Sequence, residues 1–70
     1  MYQRIKDLRE DKDLLQSDIA RILHITQQQY SNIESGHSEI RADQLITLAL
    51  FYNKSTDYIL GLTNEPGGKQ

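Results

Sequence analysis

The chain has 70 residues and no cysteine, with 37% hydrophobic residues, 26% charged residues and a formal net charge of −2. Its length and composition predict one folded domain with a small core, and the lack of cysteine excludes disulfides, thiolate metal sites and cysteine nucleophiles. The acidic excess is unusual for a nucleic-acid-binding domain, because such domains generally carry a basic face.

The first predicted helix covers about residues 2–11. Ile5 and Leu8 lie one turn apart on this otherwise charged segment, which is the pattern of an amphipathic helix resting on a core. After a polar break, Leu14 and Leu15 are expected to return to the core.

The second and third helices are predicted over residues 16–23 and 27–35, and the short segment between them leaves room only for a turn. Thr26 is a good N-cap for the third helix, because its hydroxyl can accept a hydrogen bond from a free backbone N–H. Gly36 can end that helix in the left-handed conformation. The outer face of the third helix carries glutamines, a serine and an asparagine, without lysine or arginine.

The fourth helix is predicted over residues 42–52 and is the most apolar segment, so it is expected to lie centrally. Ser55 can cap a short fifth helix over residues 56–60, which Gly61 would end. Tyr58 is expected to lie either in the core or on a dimer surface.

The fold class follows from the scarcity of breaking residues, since Gly36 is the only glycine or proline in residues 1–60. This predicts an all-α domain of five short helices over residues 1–62. Residues 63–70 include a Pro-Gly-Gly run and are predicted to form a flexible tail. No apolar run approaches the roughly 20 residues of a membrane span, and no signal peptide is apparent, so a cytoplasmic protein is expected.

Two short helices joined by a tight turn, the second with a polar outer face, are typical of a helix-turn-helix unit. In that unit the first helix crosses the DNA backbone and the second enters the major groove. Glutamine and asparagine suit the second helix, because each can pair bidentately with the N6 and N7 atoms of adenine. The sequence therefore predicts contact with double-stranded DNA.

Several stretches occur in a fixed order and spacing: RIKDLR at 4–9, QSDIA at 16–20, TQQ at 26–28, YSNIESG at 30–36, apolar positions 45, 48 and 49, and STDYILG at 55–61. Together they resemble the Cro/repressor-type (XRE-like) helix-turn-helix family over nearly all of residues 2–62. The resemblance implies a phage-repressor-like domain that binds operator DNA, usually as a twofold dimer.

By position, the resemblance implies that Gln16 contacts a phosphate, and that Arg9 and Glu34 form an internal ion pair between helices 1 and 3. The pair would make Arg9 structural and not a DNA ligand. The candidate DNA-binding residues are Gln16, Thr26, Gln27, Gln28, Gln29, Ser31, Asn32, His37, Ser38 and Arg41.

Four positions depart from the family pattern. Leu15 stands where a serine or threonine cap is usual, so the start of helix 2 is expected to be looser. His24 stands where glycine is usual, and a left-handed backbone there would cost roughly 1 kcal/mol. Residues 37–39 lack the lysine and arginine that often grip phosphates, and the absence of arginine from the third helix favours adenine over guanine.

The function predicted from these features is sequence-specific transcriptional regulation, by a repressor that binds a palindromic operator as a dimer. The dimer surface is expected at about residues 53–62. The alternative is a protein-interaction module of the same fold, an antitoxin or anti-repressor, which the acidic balance favours. An enzyme is not expected, and neither a cofactor nor a metal is implied, since His24 and His37 are the only histidines and no Gly-rich phosphate loop occurs.

Overall fold

The computed structural model describes residues 2–64, and the regular structure within them is helical throughout. It comprises α1 (Gln3–Asp11), α2 (Gln16–Leu23), α3 (Gln27–Ser35), α4 (Ala42–Tyr52) and α5 (Thr56–Leu60). The predicted all-α class and five-helix order are therefore confirmed. Helix α1 begins one residue later than expected, because Tyr2 has an extended backbone and precedes the first turn.

The core lies where the five helices meet. Its largest fully buried side chains are Ile5 from α1, Ile19 from α2, Tyr30 from α3, Leu48 from α4 and Ile59 from α5. Since every helix contributes at least one, no helix can bury its apolar face without the others. Helices α2 and α3 pack most closely and form the helix-turn-helix unit.

The ends of four helices are set by residues in the left-handed conformation. Gly36 and Gly61 end α3 and α5 with φ of 90° and 82°, as the sequence predicts. His24 ends α2 with φ of 61°, and Asn53 ends α4 with φ of 57°. The backbone of His24 therefore adopts the left-handed conformation that favours glycine.

Two expectations about the core are wrong. Leu15 does not return to the core, and it is 66% exposed because it precedes α2 as an extended residue. Helix α4 is not central on all sides, since Ile46, Leu50 and Phe51 are exposed while Leu48 is buried. The packing covers one face of this helix, and the high apolar content continues onto the uncovered face.

Arg4 of α1 forms hydrogen bonds with the last residues that the structure describes. Its Nη1 donates to the carbonyl oxygens of Tyr58, at 2.9 Å, and of Thr63, while its Nη2 donates to Asn64 Oδ1 at 2.8 Å. The guanidinium also lies 4.2 Å from the centre of the Tyr58 ring, which is a cation–π contact. Tyr58 is thus half-buried beneath Arg4. The predicted tail begins with these anchored residues, and its remainder, 65–70, lies outside the described residues.

Among residues 2–64, no helix has the length and apolar content that crossing a bilayer requires. The same residues bring together no group of histidine and acidic side chains able to hold a metal ion.

Candidate nucleic-acid interface

The start of α3 is fixed by two reciprocal hydrogen bonds. Thr26 Oγ1 accepts from the Gln29 backbone N–H at 3.0 Å, and Gln29 Oε1 accepts from the Thr26 backbone N–H at 2.8 Å. This is a capping box, which satisfies two backbone donors that a helix start otherwise leaves free. The side-chain oxygen of Gln29 is therefore committed to the backbone, although its side chain is exposed.

The outward face of α3 carries the other polar candidates. Gln27 and Gln28 are exposed, and Ser31 and Asn32 are half-buried. Gln28 Nε2 donates to Asn32 Oδ1 at 3.0 Å, so the two amides are aligned one turn apart. The face offers side-chain donors and acceptors together, as base-edge recognition in a major groove requires.

The loop after α3 folds back on the end of that helix. The backbone N–H of Ser38 and the hydroxyl of Ser35 both donate to the carbonyl of Asn32, at 3.1 and 3.2 Å. His37 Nδ1 also lies 2.6 Å from Ser35 Oγ, within hydrogen-bonding distance. His37 and Ser38 thus lie beside the C-terminal end of α3, in a loop held by hydrogen bonds.

A single buried carboxylate ties α3 to α1 and α2. Glu34 Oε2 accepts from Arg9 Nε and from the Tyr30 hydroxyl, both at 2.6 Å. Glu34 Oε1 accepts from Arg9 Nη2 at 3.2 Å and from Gln16 Nε2 at 3.1 Å. The Arg9–Glu34 ion pair is the one that the family resemblance implies, and it orients the helix that carries the candidate base contacts.

The same hydrogen bonds set the protonation of this cluster. Burial disfavours the charged carboxylate of Glu34, but the hydrogen bonds from Arg9, Tyr30 and Gln16 outweigh it and lower its pKa. The hydrogen bond to Glu34 raises the pKa of Arg9, and burial together with that carboxylate raises the pKa of Tyr30. At neutral pH the cluster therefore holds an ion pair with a neutral tyrosine.

Arg41 lies at the start of α4 and is held by a neighbouring acid. Its Nε and Nη2 donate to the two carboxylate oxygens of Asp43 at 3.2 and 3.3 Å, and both side chains are exposed. The hydrogen bonds between Arg41 and Asp43 raise the pKa of Arg41 and lower the pKa of Asp43. Gln44 Oε1 also accepts from the Arg41 backbone N–H at 2.9 Å. Arg41 is thus a positioned cation whose charge is already partnered.

The candidate residues fall into separate groups in space. Gln16 and Ser31 line an open groove between α1, α2 and α3. Gln29, Ser38 and Arg41 line a second groove, between α3 and the start of α4. Gln16 also belongs to the Glu34 cluster, so its amide nitrogen serves an internal contact as well.

Sequence reasoning missed the capping role of Gln29 and the contacts of Tyr30 and Gln44. The capping role of Gln29 was predictable from the sequence, since threonine followed three residues later by glutamine is a capping-box pattern. The Tyr30–Glu34 hydrogen bond joins residues one helical turn apart, but Tyr30 was interpreted from its apolar spacing alone.

A family model described as helix-turn-helix matches residues 5–59 of the chain. YobD of Bacillus subtilis, named as an uncharacterised HTH-type transcriptional regulator, is 37% identical over 70 residues, which cover 99% of this chain and 62% of the relative. ImmR of the same organism, named as an HTH-type transcriptional regulator, is 36% identical over 59 residues, which cover 84% of this chain and 46% of the relative. The chain thus spans less than two thirds of either relative.

No solved structure matches significantly. The family model covers most of the described helices, including both helices of the helix-turn-helix unit. Both relatives are named as HTH-type transcriptional regulators. The chain therefore belongs to the helix-turn-helix family of the Cro/repressor (XRE) type.

Proposed function

We propose that this chain is a sequence-specific DNA-binding regulator that inserts α3 into the major groove. The observation that carries the proposal is the outward face of α3, where Gln27, Gln28, Ser31 and Asn32 present polar side chains on a helix whose orientation is fixed by buried Glu34. The glutamines favour adenine-containing sites.

The remaining candidates suit contacts to the DNA backbone. Gln16 opens α2, where a phosphate would meet the helix N-terminus, and Thr26 opens α3 in the same way. His37 and Ser38 lie beside the C-terminal end of α3, and Arg41 lines the groove that also contains Gln29 and Ser38. Contacts at both ends would hold the helix in register while its central residues meet the base edges.

Two copies would bind a palindromic operator with half-sites about 34 Å apart. The surface proposed for the dimer is residues 53–62. Leu62 supports this, since its side chain is 72% exposed, whereas Ile59 belongs to the core. Repression would follow if the occupied operator overlaps a promoter. Sedimentation with and without operator DNA tests the dimer, and a strict monomer at high protein concentration in both cases would exclude it.

The test of DNA binding is selection from a randomised duplex library at about 50 and 200 mM salt, because phosphate contacts weaken as salt rises. An enriched palindrome with adenine-rich half-sites is the expected result. A folded protein that enriches no sequence at either salt would refute the proposal.

A second candidate function is protein binding by the same fold, as in an antitoxin or anti-repressor. The exposed side chains of Ile46, Leu50 and Phe51 on α4 favour it, because contiguous exposed apolar groups mark interaction surfaces. Co-purification of a defined partner, lost on substitution of Leu50 by glutamate, would support this function.

A further inference from the structure

The cationic side chains of this domain differ in whether they are already held by contacts within the chain. Each of its four arginines makes a contact within the described chain: Arg4 with the end of the chain, Arg9 with Glu34, Arg21 with Asp18 and Arg41 with Asp43. Since the net charge is −2, attraction to phosphate depends on the cations that remain available. Arg4 has no acidic partner, but carbonyl and amide oxygens hold it against the end of the described chain. Within residues 2–64, the lysines are the cations that have neither an ion pair nor such a contact.

Lys6 occupies a distinctive place among these lysines. Its exposed side chain lines the open groove of about 420 Å³ that also contains Gln16, Ser31 and Ser35. Lys12 and Lys54 do not line this groove. Lys6 is therefore the lysine beside the outward face of α3, at the point where α1 and α2 approach it.

The carboxylates in the groove do not neutralise Lys6. Glu34 Oε2 accepts from Arg9 Nε at 2.6 Å, and Glu10 Oε2 lies 3.9 Å from Arg9 Nη2. Neither carboxylate comes within ion-pair distance of Lys6 in the described structure. The exposed ammonium group of Lys6 therefore has no ion-pair partner in the described structure and is accessible to a ligand.

We propose that Lys6 binds a backbone phosphate of DNA in this groove, beside Gln16. The inference rests on the proposed DNA-binding function and adds a ligand that α1 supplies. Gln16 donates one amide hydrogen to Glu34 and keeps a second, and the hydroxyl of Ser31 can donate as well. A phosphate oxygen in the groove would meet one full positive charge and two neutral donors, which is a suitable environment for a phosphodiester.

The test compares Lys6→Gln with Lys12→Gln on the best duplex from the library. Both substitutions remove one exposed positive charge from α1 or its C-cap, but Lys12 lies outside the groove. Lys6→Gln is expected to weaken binding about three- to tenfold on every sequence and to reduce the salt dependence by about 0.9 per bound copy. Lys6→Arg should restore most of the loss, and Lys12→Gln should have little effect.

Equal losses for Lys6→Gln and Lys12→Gln, or an unchanged salt dependence in Lys6→Gln, would overturn the Lys6 site and leave DNA binding intact. A wild-type protein that binds no duplex would instead overturn the proposed function, and the Lys6 site with it. Thermal unfolding of each variant verifies that an exposed substitution has left the fold unchanged.

Discussion

Arg9 Nε lies 2.6 Å from Glu34 Oε2, and both side chains are largely shielded from water. This ion pair joins the first helix to the third, across 25 positions of the chain. Because Tyr30 and Gln16 also donate hydrogen bonds to the same carboxylate, this one charge links α3 to both α1 and α2.

Substitution Glu34→Gln is expected to lower the free energy of unfolding by about 3 kcal/mol, because it leaves Arg9 as a buried cation without its partner. Urea denaturation at neutral pH measures the change. The matched control is Glu10→Gln, whose carboxylate is exposed and 3.9 Å from Arg9. Similar stability in Glu34→Gln and the wild type would show that the pair contributes nothing.

Acid should remove the contribution of Glu34. Its pKa is lower in the folded state than the ordinary value of 4.5, so its contribution is fully present above that value and is lost as the pH falls through the lowered folded pKa. The stability difference between wild type and Glu34→Gln should therefore shrink below pH 4.5. Urea denaturation across this range measures it, and a constant difference down to acid unfolding would contradict the expectation.

Substitution His24→Gly should raise stability by up to about 1 kcal/mol, because the left-handed backbone at this position strains a residue with a side chain. Thermal unfolding provides the measurement. Lys12→Gly is the control, since Lys12 ends α1 at a φ of −98°, where glycine relieves no strain and the freer unfolded chain lowers stability. A loss of stability in both variants would refute the strain argument.

Gln28 and Gln29 should respond differently to alanine. Gln28→Ala is expected to cost about 1–3 kcal/mol of binding on the best site and to change base preference. Gln29→Ala, which opens the capping box, should lower stability by about 0.5–1 kcal/mol and leave base preference largely intact. Library selection and thermal unfolding on both variants separate the two roles. A changed base preference in Gln29→Ala alone would reverse the assignment.

Asp43 should act as a competitor for the phosphate contact of Arg41. Removing the charge with Asp43→Asn is expected to strengthen DNA binding about threefold at low salt, since the guanidinium is then free for phosphate. Repeating the substitution in an Arg41→Ala background provides the control. If the gain persists without Arg41, Asp43 acts through general repulsion of DNA and not through this arginine.

Much of the fold was predictable because its signals are local. The cap at Thr26 and the stop at Gly36 lie within a turn of the helix they bound, and the apolar spacing of Ile5 and Leu8 defines the buried side of α1. Contacts between residues far apart in the chain were harder to predict from the sequence. The contacts of Arg4 join residues 54 to 60 positions apart, and no pattern within either segment indicates them.

Burial on α4 could not be predicted from composition for a related reason. Leu48 and Leu50 are chemically identical, and one is fully buried while the other is 78% exposed. The difference depends on which side of the helix meets its neighbours. Similarly, Gln28 and Gln29 are the same residue type, but only the side-chain oxygen of Gln29 accepts a hydrogen bond from the Thr26 backbone N–H.

The contacts of Arg4 bring the first helix and the last described residues side by side, although they are nearly a full chain length apart. Because Arg4 and Asn64 are in contact, a short linker could join these two segments in a circular permutant. The linker of such a permutant would lie beside the side chain of Arg4.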